Sequence, residues 1–151
     1  MGKERNMVRM VDEQTIEVTL PNKIGYERIA MACSASFAKI VGFVPDRIED
    51  LKTAVSEACL NAMEHGNRGR PDARVVVTMN FADGSFTVSV MDEGTGIQEI
   101  PKEPDIRKKI EKLEVPRGLG IFLIKQLADH VDFNQMTKDG HVIRMVIRMA
   151  V

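Results

Sequence analysis

Tryptophan is absent from this 151-residue chain, and tyrosine occurs once, at Tyr26. Cysteine is scarce too. Cys33 and Cys59 form no metal-type pair, so the thiols read as reduced and buried in a cytoplasmic protein. Excess charge of either sign is missing: 21 basic residues face 22 acidic ones, a formal net charge of −1. That balance gives no electrostatic reason to expect nucleic acid or an anionic membrane as the main partner. No apolar run approaches the roughly 20 residues needed to cross a bilayer. The opening residues 1–6 are charged and lack the apolar stretch of a secretory signal. What is present is ordinary: 44% hydrophobic and 28% charged residues, a soluble globular composition. The length fits one domain, 1–151, with one core. The ten methionines read as filler for irregular packing.

Hydrophobic periodicity divides the chain. Residues 15–20 alternate, with Ile16, Val18 and Leu20 on one face, and predict a strand ended by Pro21-Asn22. Residues 23–41 carry Ile29, Cys33, Phe37, Ile40 and Val41 at helical spacing. A second helix is expected over 45–65, with Pro45 and Asp46 in its first turn and Ile48, Leu51, Val55 and Cys59 along its apolar stripe. The polar run 66–72 ends it. Residues 74–80 and 85–92 alternate on either side of Asp83-Gly84, a hairpin signal. Residues 94–117 hold two glycines, Pro101, Pro104, Pro116 and many charges of both signs. They read as a long loop with room for one helical turn around 104–113, of a length that is usually functional or mobile. A helix over 118–130 and two strands, 131–138 and 141–150, complete the order. Hairpin-linked strands with few helices predict an α+β fold: a two-layer sandwich with a mixed, mostly antiparallel sheet covered on one face by helices. Arg144, Arg148, Thr87 and Ser89 belong to the other, more polar face.

Three motifs at structural boundaries carry chemistry. In Asp92-Glu93-Gly94-Thr95-Gly96, Asp92 continues the core-facing phase of Phe86, Val88 and Val90. A carboxylate there is expensive without a partner, and a purine amino group would donate to it well. Gly94 and Gly96 let the backbone approach a flat ligand. Glu57 and Asn61 lie four apart on the second helix and project from nearly the same side. Asn61 offers a hard carbonyl oxygen suited to Mg2+. Glu57 would sit where it could take a proton from an incoming hydroxyl. Gly118-Leu119-Gly120 opens the next helix, whose free N–H groups attract phosphate, and Arg117 at the junction adds positive charge. Each motif alone is weak: an Asp-Gly turn or a solvated Glu/Asn pair is common. His65 reads as a helix-end cap or packing group. His130 and His141 have no ligand-like spacing.

Taken together, the motifs resemble the superfamily of ATP-binding domains shared by gyrase, the heat-shock chaperones, the histidine kinases and the mismatch-repair ATPases (GHKL). Glu57 to Gly66 looks like its N box. Asp92 to Gly96 and Arg117 to Gly120 look like its two glycine boxes, and 94–117 looks like its ATP lid. Within the superfamily, the size and the wording Ser56-Glu57-Ala58 with Asn61, Ala62 and His65 resemble the bacterial anti-sigma-factor serine/threonine kinases. The resemblance implies a Bergerat fold binding ATP and Mg2+. Asp92 would hold adenine, Asn61 would hold Mg2+ and Glu57 would be the general base. Gly94, Gly96, Gly118, Leu119 and Gly120 would line the nucleotide, with Arg117 near the phosphates. It further implies a serine or threonine substrate on an anti-anti-sigma (STAS-domain) protein, a sigma factor held inactive as the second partner, and a homodimer. One position departs from the pattern: where members often carry a Thr that helps hold adenine through water, the residue after Gly140 is His141.

The kinase reading leads because a serine hydroxyl at neutral pH benefits from a base such as Glu57. The length also leaves no room for a histidine-bearing dimerisation segment or for a transducer domain. A nucleotide-gated binding module without phosphoryl transfer stands as the rival, with partner exchange driven by ordering of the lid. A kinase whose partner switch has a non-sigma target is the other alternative.

Overall fold

The computed structural model describes residues 8–12, 14–94, 117–137 and 140–149. Within them six strands form one sheet: β1 (Val8–Asp12), β2 (Thr15–Pro21), β3 (Arg74–Ala82), β4 (Ser85–Asp92), β5 (His130–Thr137) and β6 (Gly140–Arg148), in the spatial order β1-β2-β3-β4-β6-β5. All five pairings are antiparallel. The two-layer α+β expectation holds, and the mixed character expected of the sheet is not seen among the described residues. Among the described residues three helices cover one face: α1 (Glu27–Val41), α2 (Pro45–Asn61) and α3 (Arg117–Leu127).

Alternation decides which face is covered. Val18, Leu20, Val75, Val77, Met79, Phe86, Val88, Val90, Ile143, Met145 and Ile147 point inward and are buried. They meet Ala30 and Phe37 of α1, Leu51, Ala54, Val55 and Ala58 of α2, and Ile121 and Ile124 of α3. Phe86 anchors an aromatic cluster, with edge-on contacts to Phe37 at 5.0 Å and Phe43 at 5.8 Å between centroids. Burial pushes the Cys59 thiol up to about 12, aided by the charge of Glu27. Cys33 is half-buried, where full burial was anticipated. The outer face carries the polar alternates, with Thr87 and Ser89 half-buried and Arg144 and Arg148 exposed.

Local chemistry sets the element ends. Asp83 and Gly84 both take positive φ, 52° and 77°, the backbone of a tight two-residue hairpin turn between β3 and β4. α1 starts at Glu27 rather than residue 23 because 23–26 form a turn, with the Gly25 N–H donating to the Glu27 carboxylate. It ends at Gly42 in the left-handed region, whose N–H donates to Ala38 and Lys39 carbonyls. α2 keeps α-helical geometry only to Asn61. Residues 62–66 form one wider π turn, a feature frequent at functional sites. α3 stops at Leu127, and the Asp129 N–H is already bonded to the Val146 carbonyl of the sheet. Arg47 at the start of α2 clasps the far end of β6. It donates to the Asp129 carboxylate at 2.7 Å and to the Arg148 carbonyl at 2.9 Å. β1 was not anticipated from sequence. It is an edge strand whose pairing with β2 shifts register between Met10 and Asp12.

Candidate functional site

The end of β4 delivers Asp92 to the layer between sheet and helices, where it is 1% exposed. Its carboxylate has protein partners: Oδ1 accepts the Gly94 N–H at 2.8 Å, and Oδ2 lies 3.4 Å from His141 Nδ1. Three glycines crowd around it. A Cβ at Gly66 would overlap the Asp92 carboxylate, one at Gly94 would overlap the Gly66 carbonyl, and one at Gly140 would overlap the Asp92 carbonyl. The π turn is what brings the Gly66 backbone against the Asp92 carboxylate. The chain leaving helix α2 therefore meets the chain leaving strand β4 with no side chain between them.

A second group stiffens this meeting point. Asn67, fully buried, accepts the Glu93 N–H at 2.7 Å through Oδ1. Its Nδ2 donates to the Arg74 carbonyl at 3.0 Å and to Asn22 Oδ1 at 3.2 Å. The Glu93 carboxylate in turn accepts the Arg74 N–H at 2.8 Å. One amide thus ties the β2–α1 connection, the start of β3 and the turn after Asp92. Sequence reasoning missed Asn67 and Asn22 as parts of the site, because they lie in polar breaks read only as helix and strand terminators, and it read Gly66 as the last residue of a motif without its contact with Asp92.

One helical turn before the helix end, Glu57 is half-buried. Its carboxyl is held above the ordinary Glu range, first by desolvation and second by the charge of Glu64. It faces the opening of α3: a Cβ on Gly120 would lie 2.8 Å from Glu57 Oε2. The N-box helix and the second glycine motif, 60 residues apart in sequence, are therefore neighbours, as α2 and α3 pack together. Asn61 closes α2 and is buried, and its Oδ1 has no hydrogen-bond partner among the described residues. A buried amide oxygen left bare is costly unless something not present here takes its lone pairs.

Leu119 is half-buried in the first turn of α3. Gly118 and Arg117 open the same helix, and the Arg117 side chain lies outside the described residues, as do Gly96 and all of the expected lid beyond Gly94. His65 is exposed and lies 3.9 Å from Glu64. His130 is also exposed, 3.1 Å from Asp132. Among the described residues no cluster of His, Cys, Asp or Glu could hold a metal by itself. No helix of the described residues is long and apolar enough to cross a membrane.

The chemistry of this arrangement fits a nucleotide and its magnesium. It offers a buried acceptor at a glycine-lined backbone contact, one hard amide oxygen without a partner, a helix start and a desolvated carboxyl. Comparison with known proteins agrees with the geometry. Residues 20–147 match the family described as the histidine kinase-like ATPase domain. The chain is 34% identical over 129 residues to the serine-protein kinase RsbW of Listeria innocua, covering 83% of this chain and 81% of that protein. It is 27% identical over 140 residues to an anti-sigma F factor of Clostridium botulinum, covering 82% and 92%. In structure it resembles the crystal structure of the RsbU and RsbW domains of a Mycobacterium tuberculosis protein, with a TM-score of 0.61 at 20% identity. That match covers 89% of this chain and 32% of the longer one, and it speaks to the fold alone. The chain belongs to the histidine kinase-like ATPase family. Its place there is among the anti-sigma-factor serine kinases.

Proposed function

We propose that the protein is a serine/threonine kinase of a partner switch. It binds Mg-ATP, phosphorylates a small anti-anti-sigma protein of the STAS type and, in its other complex, holds a sigma factor inactive as a homodimer. Its likeness to relatives named serine-protein kinase RsbW, up to 34% identical, makes it a protein serine kinase. The substrate, the sigma factor and the residue roles are the proposal. The observation that carries it is the position of Glu57: half-buried, raised in pKa, one turn from the bare amide oxygen of Asn61 and against Gly120 in the first turn of α3.

In this reading Asp92 accepts a hydrogen bond from the adenine amino group, and Gly66 and Gly94 leave the backbone bare beside it. Asn61 Oδ1 would hold Mg2+, which when bound supplies neutralising charge across the phosphates. The N–H groups of Gly118, Leu119 and Gly120 would cradle phosphate, and Arg117 would approach it. Glu57 takes the proton from the acceptor hydroxyl. The hydroxyl oxygen then bonds to the γ-phosphorus as the bond to the departing ADP oxygen breaks. A carboxyl raised by desolvation holds that proton better than an ordinary Glu does.

The test is direct. The protein is mixed with Mg-ATP and each STAS-domain protein encoded with it, and the intact mass of each partner is measured, with Glu57→Gln run alongside. A phosphate-sized gain on one partner, absent with the variant, supports the reading. No gain on any partner, with nucleotide binding demonstrated in parallel, would move the function to a nucleotide-gated binding module.

A further inference from the structure

Arg70 lies outside every motif that the proposed function uses, yet its side chain reaches the turn that follows Asp92. Its own backbone is pinned. The Arg70 N–H donates to the Asn67 carbonyl at 3.1 Å, and the Arg70 carbonyl accepts Asn22 Nδ2 at 2.9 Å and the Ala73 N–H at 3.3 Å. From that base the guanidinium spans two carbonyls. Nε donates to the Asn67 carbonyl at 3.1 Å, and Nη2 donates to the Glu93 carbonyl at 3.4 Å. The rigid fork of Arg suits a two-point contact, and its charge strengthens a long bond to a neutral carbonyl.

The second of these carbonyls belongs to the peptide unit between Glu93 and Gly94. The N–H of that same unit, on Gly94, donates to Asp92 Oδ1 at 2.8 Å. A trans peptide points its C=O and its N–H in opposite directions. Arg70 and Asp92 therefore grip one peptide from its two ends. The order is guanidinium, carbonyl, N–H, carboxylate. Each hydrogen bond in such a chain polarises the next, and here a positive charge stands at one end and a carboxylate at the other. The preceding N–H, on Glu93, is held by Asn67 Oδ1 at 2.7 Å. With the N–H and the carbonyl of Glu93 both engaged, the next peptide has one orientation, the one that presents its N–H to Asp92.

We propose that Arg70 is a positioning residue for base recognition. It touches no nucleotide itself. Through the Glu93–Gly94 peptide it sets the Asp92 carboxylate in the orientation that accepts the adenine amino group. The inference deepens the nucleotide site proposed above and rests on it.

The test is calorimetric titration of the full chain, and of Arg70→Ala and Arg70→Lys, with ADP and with purine riboside diphosphate, which is ADP without its 6-amino group. The wild type is expected to prefer ADP. Arg70 is exposed, so both variants should stay folded, as melting transitions check. In Arg70→Ala the preference for ADP over the analogue is expected to fall about fivefold, the scale of one net hydrogen bond. Arg70→Lys keeps the charge and loses the fork, so the same fall is expected, and this variant carries the comparison if Arg70→Ala does not fold. A cation acting only on the phosphates, or only as a surface clip, would weaken both ligands alike. An unchanged preference in Arg70→Ala, or a wild-type preference in Arg70→Lys, overturns the assignment. A wild type that binds both ligands equally removes the amino-group contact of Asp92 and this inference with it. A wild type that binds neither overturns the proposed function itself.

Discussion

Gly120 stands where Glu57 leaves no room for a side chain: the Cβ of any other residue would come within 2.8 Å of Glu57 Oε2. The atom it would meet is the far end of a flexible side chain, so the conflict is resolved by moving Glu57 rather than the backbone. Gly120→Ala is therefore expected to leave the melting temperature within a few degrees of the parent. It should lower phosphoryl transfer about 10²-fold, the scale of a misplaced reacting group. Parallel measurement of melting and of transfer rate checks this; a melting temperature that collapses together with activity would show that the glycine serves packing instead.

The raised carboxyl of Glu57 has a pH signature. A base works only when deprotonated, so transfer should fall as pH drops through its pKa, and that limb should lie above the ordinary Glu value of about 4.3. Glu64 contributes part of the upward shift by its charge. Glu64→Gln removes that charge and is expected to move the limb toward lower pH, with the plateau rate preserved. A profile that does not move with Glu64→Gln would detach the limb from Glu57.

Asp92→Asn keeps the shape of the carboxylate and one acceptor for the Gly94 N–H, while its amide NH2 would confront the donor group of the base. ADP affinity is expected to drop at least tenfold with secondary structure intact, read by calorimetry and circular dichroism. Unchanged affinity would remove Asp92 from the site.

Asn67→Ala deletes an acceptor for the Glu93 N–H and a donor to the Arg74 carbonyl in a fully buried place. About 1–3 kcal/mol of stability should be lost in denaturant unfolding. Because the turn after Asp92 loses its tether, nucleotide affinity should fall as well. Stability lost without any change in affinity would confine Asn67 to folding.

Much of this was readable in the chain, and the unread parts share a cause. Asp92 was legible because it continues the phase of Phe86, Val88 and Val90 along a regular strand, and Glu57 and Asn61 because four residues is one helical turn. β1 was not, since it is five residues long and its pairing slips between Met10 and Asp12. The π turn at 62–66 was not, because apolar spacing reports the α period and carries no mark of one widened turn. Asn67 lies in a polar run where nothing is periodic, and its value comes from partners at positions 22, 74 and 93. His141 needed the β4–β6 register, a pairing of strands that do not follow one another in sequence.

That last pairing bears on how the protein acquires its site. β3 and β4 are joined by a two-residue turn, whereas Asp92 and His141 meet across 49 positions that include α3 and β5, and β2 reaches β3 across a still longer stretch that includes α1 and α2. Closing the excursion between Asp92 and His141 costs more chain entropy than closing the hairpin and rewards it only once β6 has docked. The hairpin bearing Asp92 is thus expected to assemble before β6 docks on it. A nucleotide held at the end of β4, beside the rung that pairs Asp92 with His141, would act as a latch on the docking of β6.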